Sequence, residues 1–166
     1  MRVLAVLSLA LCFFAPVALA TGDKKEKPTL TFHMEVDKSE GSKFVFPQTI
    51  SGQERYFSTS SDLGTLDLEA IQPFPAEDGV SYGATIKFTQ RGTGRLSAVS
   101  GGNIGRLLLV FINGRLINAL RVDQMINDGT IVVWSGISQQ DIATLDQIAP
   151  RIGETPKDWK KRLKSQ

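Results

Sequence analysis

Leu107 to Ile112 is an unbroken apolar run, and Asn113-Gly114 follows it at once. Asn-Gly is the strongest short hairpin signal, because both central positions of a type I′ turn take positive φ. Arg115 to Leu120 is therefore the returning strand, and the chain is committed to antiparallel pairing around a strongly apolar ribbon. The sequence offers partners for it. Tyr82, Ala84, Ile86 and Phe88 alternate with Ser81, Gly83, Thr85, Lys87 and Thr89, the period of a strand with one buried face. Leu30, Phe32, Met34 and Val36 alternate in the same way with Thr31, His33 and Glu35. Ile131 to Trp134, after Asp128-Gly129, reads as a strand covered on both faces.

Weaker strand signals lie at Lys43 to Phe46, stopped by Pro47, and at Arg55 to Ser58, separated by Gly41 and Gly52. Thr65 to Ile71 reads as a further strand with Leu66 and Leu68 on one face and Asp67 and Glu69 on the other, ended by Pro73, Pro75 and Asp78-Gly79. Between the strands ending at Phe88 and beginning at Leu107, Leu96 and Val99 predict a short helix weakened by Gly92 and Gly94, each costing about 1 kcal/mol relative to alanine. A better-specified helix starts at Ser138. Asp141 stands three residues on, Ile137 can staple onto Ile142, and Ile142, Leu145 and Ile148 form one apolar face before Pro150. Thr155-Pro156 with Asp158 opens a last helix carrying Trp159 and Leu163. Strands interspersed with short helices predict an α+β domain, an antiparallel sheet with short helices on one face, of which a ferredoxin-like arrangement is one form. That single domain is expected over residues 30–150, with residues 151–166 as a basic helix or tail.

The N-terminus is a different kind of segment. Arg2, the apolar run Val3 to Ala15, Pro16 and Ala18-Leu19-Ala20 have the layout of a secretory signal with cleavage after Ala20. An uncleaved anchor is the rival, since Val3 to Ala20 approaches the length of a membrane span. Residues 21–29, with Lys24, Lys25 and Lys27, are expected to be a mobile lead-in. Cleavage removes Cys12, the one cysteine of the 166 residues, so the exported chain would have no disulfide and no thiol nucleophile. A periplasmic or secreted protein is the expectation. The formal net charge of +2 over the 166 residues, about +1 once Arg2 leaves with the leader, argues against a dedicated nucleic-acid binder.

No pattern assembles a catalytic centre. His33 is the only histidine, and with Glu35 on the same strand face it supplies two metal ligands, fewer than a zinc site uses. No nucleophile elbow accompanies it. Gly92-Thr93-Gly94-Arg95-Leu96-Ser97 imitates a dinucleotide loop but has serine where the third glycine belongs. Asp67 and Glu69 have carboxylate spacing compatible with glycoside hydrolysis, yet no aromatic sugar platform stands beside them.

From Val80 to Pro150 the order of elements resembles the head subdomain of the first large periplasmic domain of SecD and SecDF, membrane subunits that assist protein export. The resemblance rests on Phe88-Thr89-Gln90-Arg91-Gly92, Asn103-Ile104-Gly105, Leu107 to Gly114, Ile126-Asn127-Asp128-Gly129, and Ser135-Gly136 with Ser138 to Ala143. It departs at Ala119-Leu120-Arg121-Val122, where the family has a proline. No second apolar stretch long enough to span a membrane occurs in the sequence, so the family's proton-coupled membrane part has no counterpart in it. The resemblance implies a non-enzymatic head-like module that binds a protein partner or an extended polypeptide in the periplasm, without a cofactor. Candidate partner contacts are Arg91, Arg95, Asn103, Arg106, Asn113 and Arg115, with Trp159, Lys160 and Lys161 of the tail. An exposed sheet edge is the expected route for an extended polypeptide. A second reading is a small-ligand or hydrolytic protein using His33, Glu35 and the polar loops. A third is contact of the basic tail with an anionic membrane surface.

Overall fold

Asn113 and Gly114 take φ of 48° and 73° and join β7 (Leu107–Ile112) to β8 (Arg115–Arg121) as the dipeptide requires. The structure is a computed structural model that describes residues 27–41 and 43–165. The leader read over residues 1–20, Cys12 within it, and residues 21–26 of the lead-in lie outside the described residues. On the other side of β7, β1 (Leu30–Met34) runs antiparallel with Phe32 opposite Val110. The two-residue β4 (Leu63–Gly64) completes a four-stranded sheet of order β4-β1-β7-β8.

A second sheet holds β5 (Leu68–Pro75), β6 (Tyr82–Phe88) and β9 (Thr130–Ile137) in the order β5-β6-β9. The third is a hairpin of β2 (Val45–Ile50) and β3 (Gln53–Ser58), turned by Ser51 and Gly52 at φ of 50° and 78°. The α+β class and the antiparallel pairing hold, with the strands distributed over three sheets rather than one. A ferredoxin-like order would put one shared strand between β6 and β7. Here β9 flanks β6 and β8 flanks β7, with no ladder between β8 and β9.

One apolar core nevertheless serves both larger sheets. Ile71, Ile86 and Ile131 stand in register across the three-stranded sheet and belong to the same buried cluster as Phe32 and Val110, Leu96 of α1 (Gln90–Gly102) and Leu145 of α2 (Gln139–Ile148). Phe32 meets Phe88 edge-to-face at 5.5 Å, tying one sheet to the other. Each such side chain contributes about 1.5–3 kcal/mol by leaving water.

Several sequence expectations shift, each for a local reason. The strand placed at Thr65 to Ile71 is a 3₁₀ turn over Thr65–Asp67 followed by β5. The turn reverses the first pair, Leu66 being 87% exposed and Asp67 only 2%, while Leu68 still packs on the core and Glu69 is exposed. Asp67 goes inside because its Oδ2 accepts the Gly64 N–H at 3.0 Å and the Arg95 guanidinium at 2.9 Å. Pro47 does not stop β2, since the strand has only β3 as a neighbour and an outward position needs no N–H. The weak helix becomes a thirteen-residue α1 that runs on through Gly101 and Gly102. Thr89 Oγ1 accepts the Gly92 N–H at 3.1 Å, and a Cβ at Gly92 would sit 2.6 Å from the Asp67 carbonyl oxygen. Glycine there is thus a condition of the close approach. Ser138 and Asp141 form the reciprocal cap that starts α2. β9 is not covered on both faces, because Trp134 is 70% exposed.

Candidate functional site

The residues singled out from the sequence do not converge. Arg91 and Arg95 both turn to Asp67, at 3.5 and 2.9 Å. Asn103 caps the end of α1 through the Val99 carbonyl at 2.8 Å. Arg106 donates to the Glu35 carbonyl at 3.1 Å and the Asp37 carboxylate at 2.8 Å. Asn113 Oδ1 accepts the Thr29 N–H at 2.9 Å, and Arg115 pairs with Asp141. These groups fix corners of the fold.

The tail is also tied down. α3 (Pro156–Lys164) is capped by Thr155, and Trp159 Nε1 donates to the Asp146 carbonyl at 2.7 Å. Arg151 and Arg162 grip the buried Asp146 carboxylate at 2.6 and 2.9 Å, and Arg162 also holds Glu154 at 2.8 Å. Hydrogen bonds from the Arg162 guanidinium and the Arg151 amide push the Glu154 carboxyl down to about 2. Lys160 and Lys161 remain exposed, but the indole that was to accompany them faces the domain.

The second reading loses its two residues to other bonds. His33 Nδ1 donates to the Ser58 carbonyl at 2.8 Å, its Nε2 lies 3.1 Å from the Thr31 hydroxyl, and the ring is wedged between Phe46 and Phe111. Glu35 accepts the Arg55 guanidinium and the Leu107 N–H, both at 2.8 Å. Asp67 is buried and Glu69 pairs at the surface with Lys87 at 2.7 Å, so these carboxylates do not face one another. Among the described residues no cluster of three histidine, cysteine or carboxylate side chains could hold a metal ion.

What the structure does bring together lies around β9. Ile131 and Val133 point into the core, so by strand alternation Val132 and Trp134 stand on the outer face. Phe74, on the same outer face of β5, meets Trp134 edge-on at 6.1 Å. Gly83 of β6, opposite Phe74 in register, makes room for this pair: a Cβ there would lie 2.4 Å from the Phe74 ring and 2.6 Å from the Val133 carbonyl oxygen. The two aromatics floor an open depression of about 600 Å³ whose rim carries Glu77 and Asp78. Asp78 accepts the Ser81 hydroxyl at 2.5 Å and the Ser81 and Val80 amides at 2.8 and 2.9 Å, which hold its carboxyl below the usual carboxylate range.

On the other side of Trp134 runs a cleft of about 360 Å³ between β8 and β9. The two strands are held together by the Asn118 amide, which donates to the Ser135 carbonyl at 3.3 Å, and by the close approach of Ile117 to Gly136. Among the described residues no main-chain hydrogen bond joins them. Each therefore turns towards the cleft an edge without a main-chain partner, the Ala119 N–H of β8 being bonded to the Asn118 Oδ1 at 2.8 Å, the geometry to which an extended backbone can add. Sequence reading missed Trp134 because it sits in an apolar run that reads as fully buried. Phe74 between Pro73 and Pro75, with a glycine at position 83, was the available signal.

No family model matches the chain, and no curated protein matches it. Its fold is similar to that of a solved structure of SecDF, a membrane component that enhances protein export, with 19% identity and a TM-score of 0.52 over 75% of this chain and 64% of that one. A structure of SecDF in its Super-membrane-facing form matches with the same identity and TM-score and is covered over 19% of its length. The likeness is one of fold, and it extends well beyond the segment from Val80 to Pro150 whose turn and cap residues first carried the resemblance.

Proposed function

We propose that this protein is an export-related domain of the cell envelope that binds polypeptide in an extended conformation along β8 and β9. The observation that carries the reading is the pair of unpaired strand edges facing one cleft, with Trp134 exposed beside them. Main-chain pairing gives affinity without demanding a sequence, and an exposed indole adds apolar contact with alternate side chains. Such a combination suits a substrate that is unfolded and varied. The likeness of fold to SecDF, a component that enhances protein export, supports the same assignment. Residues 1–20 supply a leader that would carry the domain to the periplasm, and no helix among the described residues is long and apolar enough to cross a membrane. Binding rather than catalysis is the role we assign, because His33, Glu35 and Asp67, the groups that chemistry would need, are engaged in structural bonds.

Hydrogen exchange of the full chain with and without a permanently unfolded model polypeptide tests the proposal. Binding should slow exchange in Arg115–Arg121 and Thr130–Ile137 together. Protection confined to α3, or no protection with polypeptide in excess, refutes the assignment to this cleft.

A further inference from the structure

The depression beside β9 has a chemistry of its own. Its floor is aromatic, Phe74 with Trp134, and the charged groups on its rim are two carboxylates, Glu77 and Asp78, with no cation in its lining. Glu77 is exposed and has no ion-pair partner among the described residues. Asp78 is bound only by neutral donors, so it keeps its full negative charge at the rim. An aromatic face attracts a cation through its quadrupole, and guanidinium also stacks on it. Two acidic neighbours add to that field and repel an acidic side chain.

Resting on the polypeptide-binding reading, we infer that this depression receives a lysine or arginine side chain of the bound segment, so that the domain selects extended polypeptides carrying a basic residue among apolar ones. The position fits the geometry of strand addition. Trp134 lines both the depression and the cleft, and side chains of a strand added at β9 stand alternately on the face that bears the indole. A long basic side chain can lay its methylenes on Phe74 and Trp134 and carry its charge to Glu77. The selected class is therefore a cationic and apolar stretch of unfolded chain.

Fluorescence anisotropy of the full-length chain with labelled short apolar peptides tests this. The peptides are identical except for one central residue, which is arginine, its neutral isostere citrulline, or glutamate. The arginine peptide should bind roughly three- to tenfold more tightly than the citrulline peptide at low salt. That advantage should shrink in about 1 M salt, where screening acts over about 3 Å. The glutamate peptide should bind most weakly. Glu77→Gln, at an exposed position that the fold does not use, should roughly halve the arginine advantage over citrulline, the share left being that of Asp78 and the aromatic floor. Equal binding of arginine and citrulline peptides by the unaltered protein overturns the selection of a basic residue while the polypeptide reading stands. An arginine advantage undiminished by Glu77→Gln overturns its placement in this depression. Failure of all three peptides to bind overturns the polypeptide reading itself.

Discussion

Gly83→Ala is the most direct probe of the aromatic platform. The added Cβ would sit 2.4 and 2.5 Å from Phe74 Cε2 and Cζ and 2.6 Å from the Val133 carbonyl oxygen, where carbon contacts prefer about 3.5–4.0 Å. The ring is the end of a side chain and can swing away. The carbonyl cannot, because Val133 is paired with Ala84 in the ladder between β6 and β9. Overpacking of this kind costs about 1–3 kcal/mol, and alanine returns about 0.4–1 kcal/mol by restricting the unfolded chain. A net loss of about 1–2 kcal/mol remains, a fall in Tm of roughly 3–10 °C for a domain of this size. Urea unfolding followed by far-UV circular dichroism gives the loss as a shift in midpoint. Phe74→Ala removes two of the three clashes, so the double variant should recover part of the loss and retain the share due to the carbonyl. A neutral or stabilising Gly83→Ala would show that the Val133 carbonyl does not crowd this position. Complete rescue by Phe74→Ala would show that the carbonyl is not in the way.

Three further outcomes follow from the packing. Leu145→Ala, at a fully buried position, should lower stability by about 2–5 kcal/mol, while Leu66→Ala, at an 87% exposed one, should change it by less than about 0.5 kcal/mol; a large effect at Leu66 would restore the strand reading of Thr65 to Ile71. Asp67→Ala should cost about 2 kcal/mol in urea midpoint, because it frees the Gly64 amide and strands the Arg95 guanidinium near the start of α1, and Asp67→Asn should cost less. The folded-state carboxyl of Glu154 titrates near 2 against an ordinary 4.5, so its contribution is complete above about pH 4.5 and disappears as pH falls towards 2. Trp159 emission, in a Trp134→Phe background that leaves it the sole tryptophan, should report the loosening of α3 across that window, and a Glu154→Gln protein should show none.

The parts of the fold that were legible in the sequence are those written in short-range chemistry. Asn113-Gly114 dictated its turn, Ser138 and Asp141 their cap, and the alternation from Tyr82 to Phe88 its buried face. What was not legible depended on contacts between distant segments. Asp67 is buried because Arg95 lies 28 residues further along, and α1 holds its glycines because one of them must touch the Asp67 carbonyl. The Gly64–Asp67 cap is local, but neither of these long-range contacts has a local signature. The candidate site failed to show for the same reason. The charged residues that looked available, Arg91, Arg95, Arg106 and Arg115, found carboxylate or carbonyl partners elsewhere in the chain. Trp134 was hidden by its apolar neighbours, since an apolar run of four gives no period from which to read a face.

The way the other sheet edges are closed makes the opening at β8 and β9 informative. Unpaired edges invite pairing with any extended chain, and proteins blunt them with proline, short strands or a covering segment. β5 has proline and a covering segment. Ile71 turns its N–H and C=O outward to residues 150 and 152, so strand alternation puts the N positions of Pro73 and Pro75 on the same outward side, where they carry no donor. β2 has Pro47 on its free edge, β3 is joined through Tyr56 and Phe57 to the end of the β1 segment, and β4 is only two residues long. β8 and β9 run seven and eight residues, contain no proline, and face each other across a cleft bridged by one side-chain amide. Direct pairing there would merge the two larger sheets into one and remove both edges. The Asn118 amide and the bulged Ile117 instead occupy the end where the strands approach, so the open edges face each other across a cleft rather than standing at an outer rim, the arrangement that the proposed binding of a single extended chain would use.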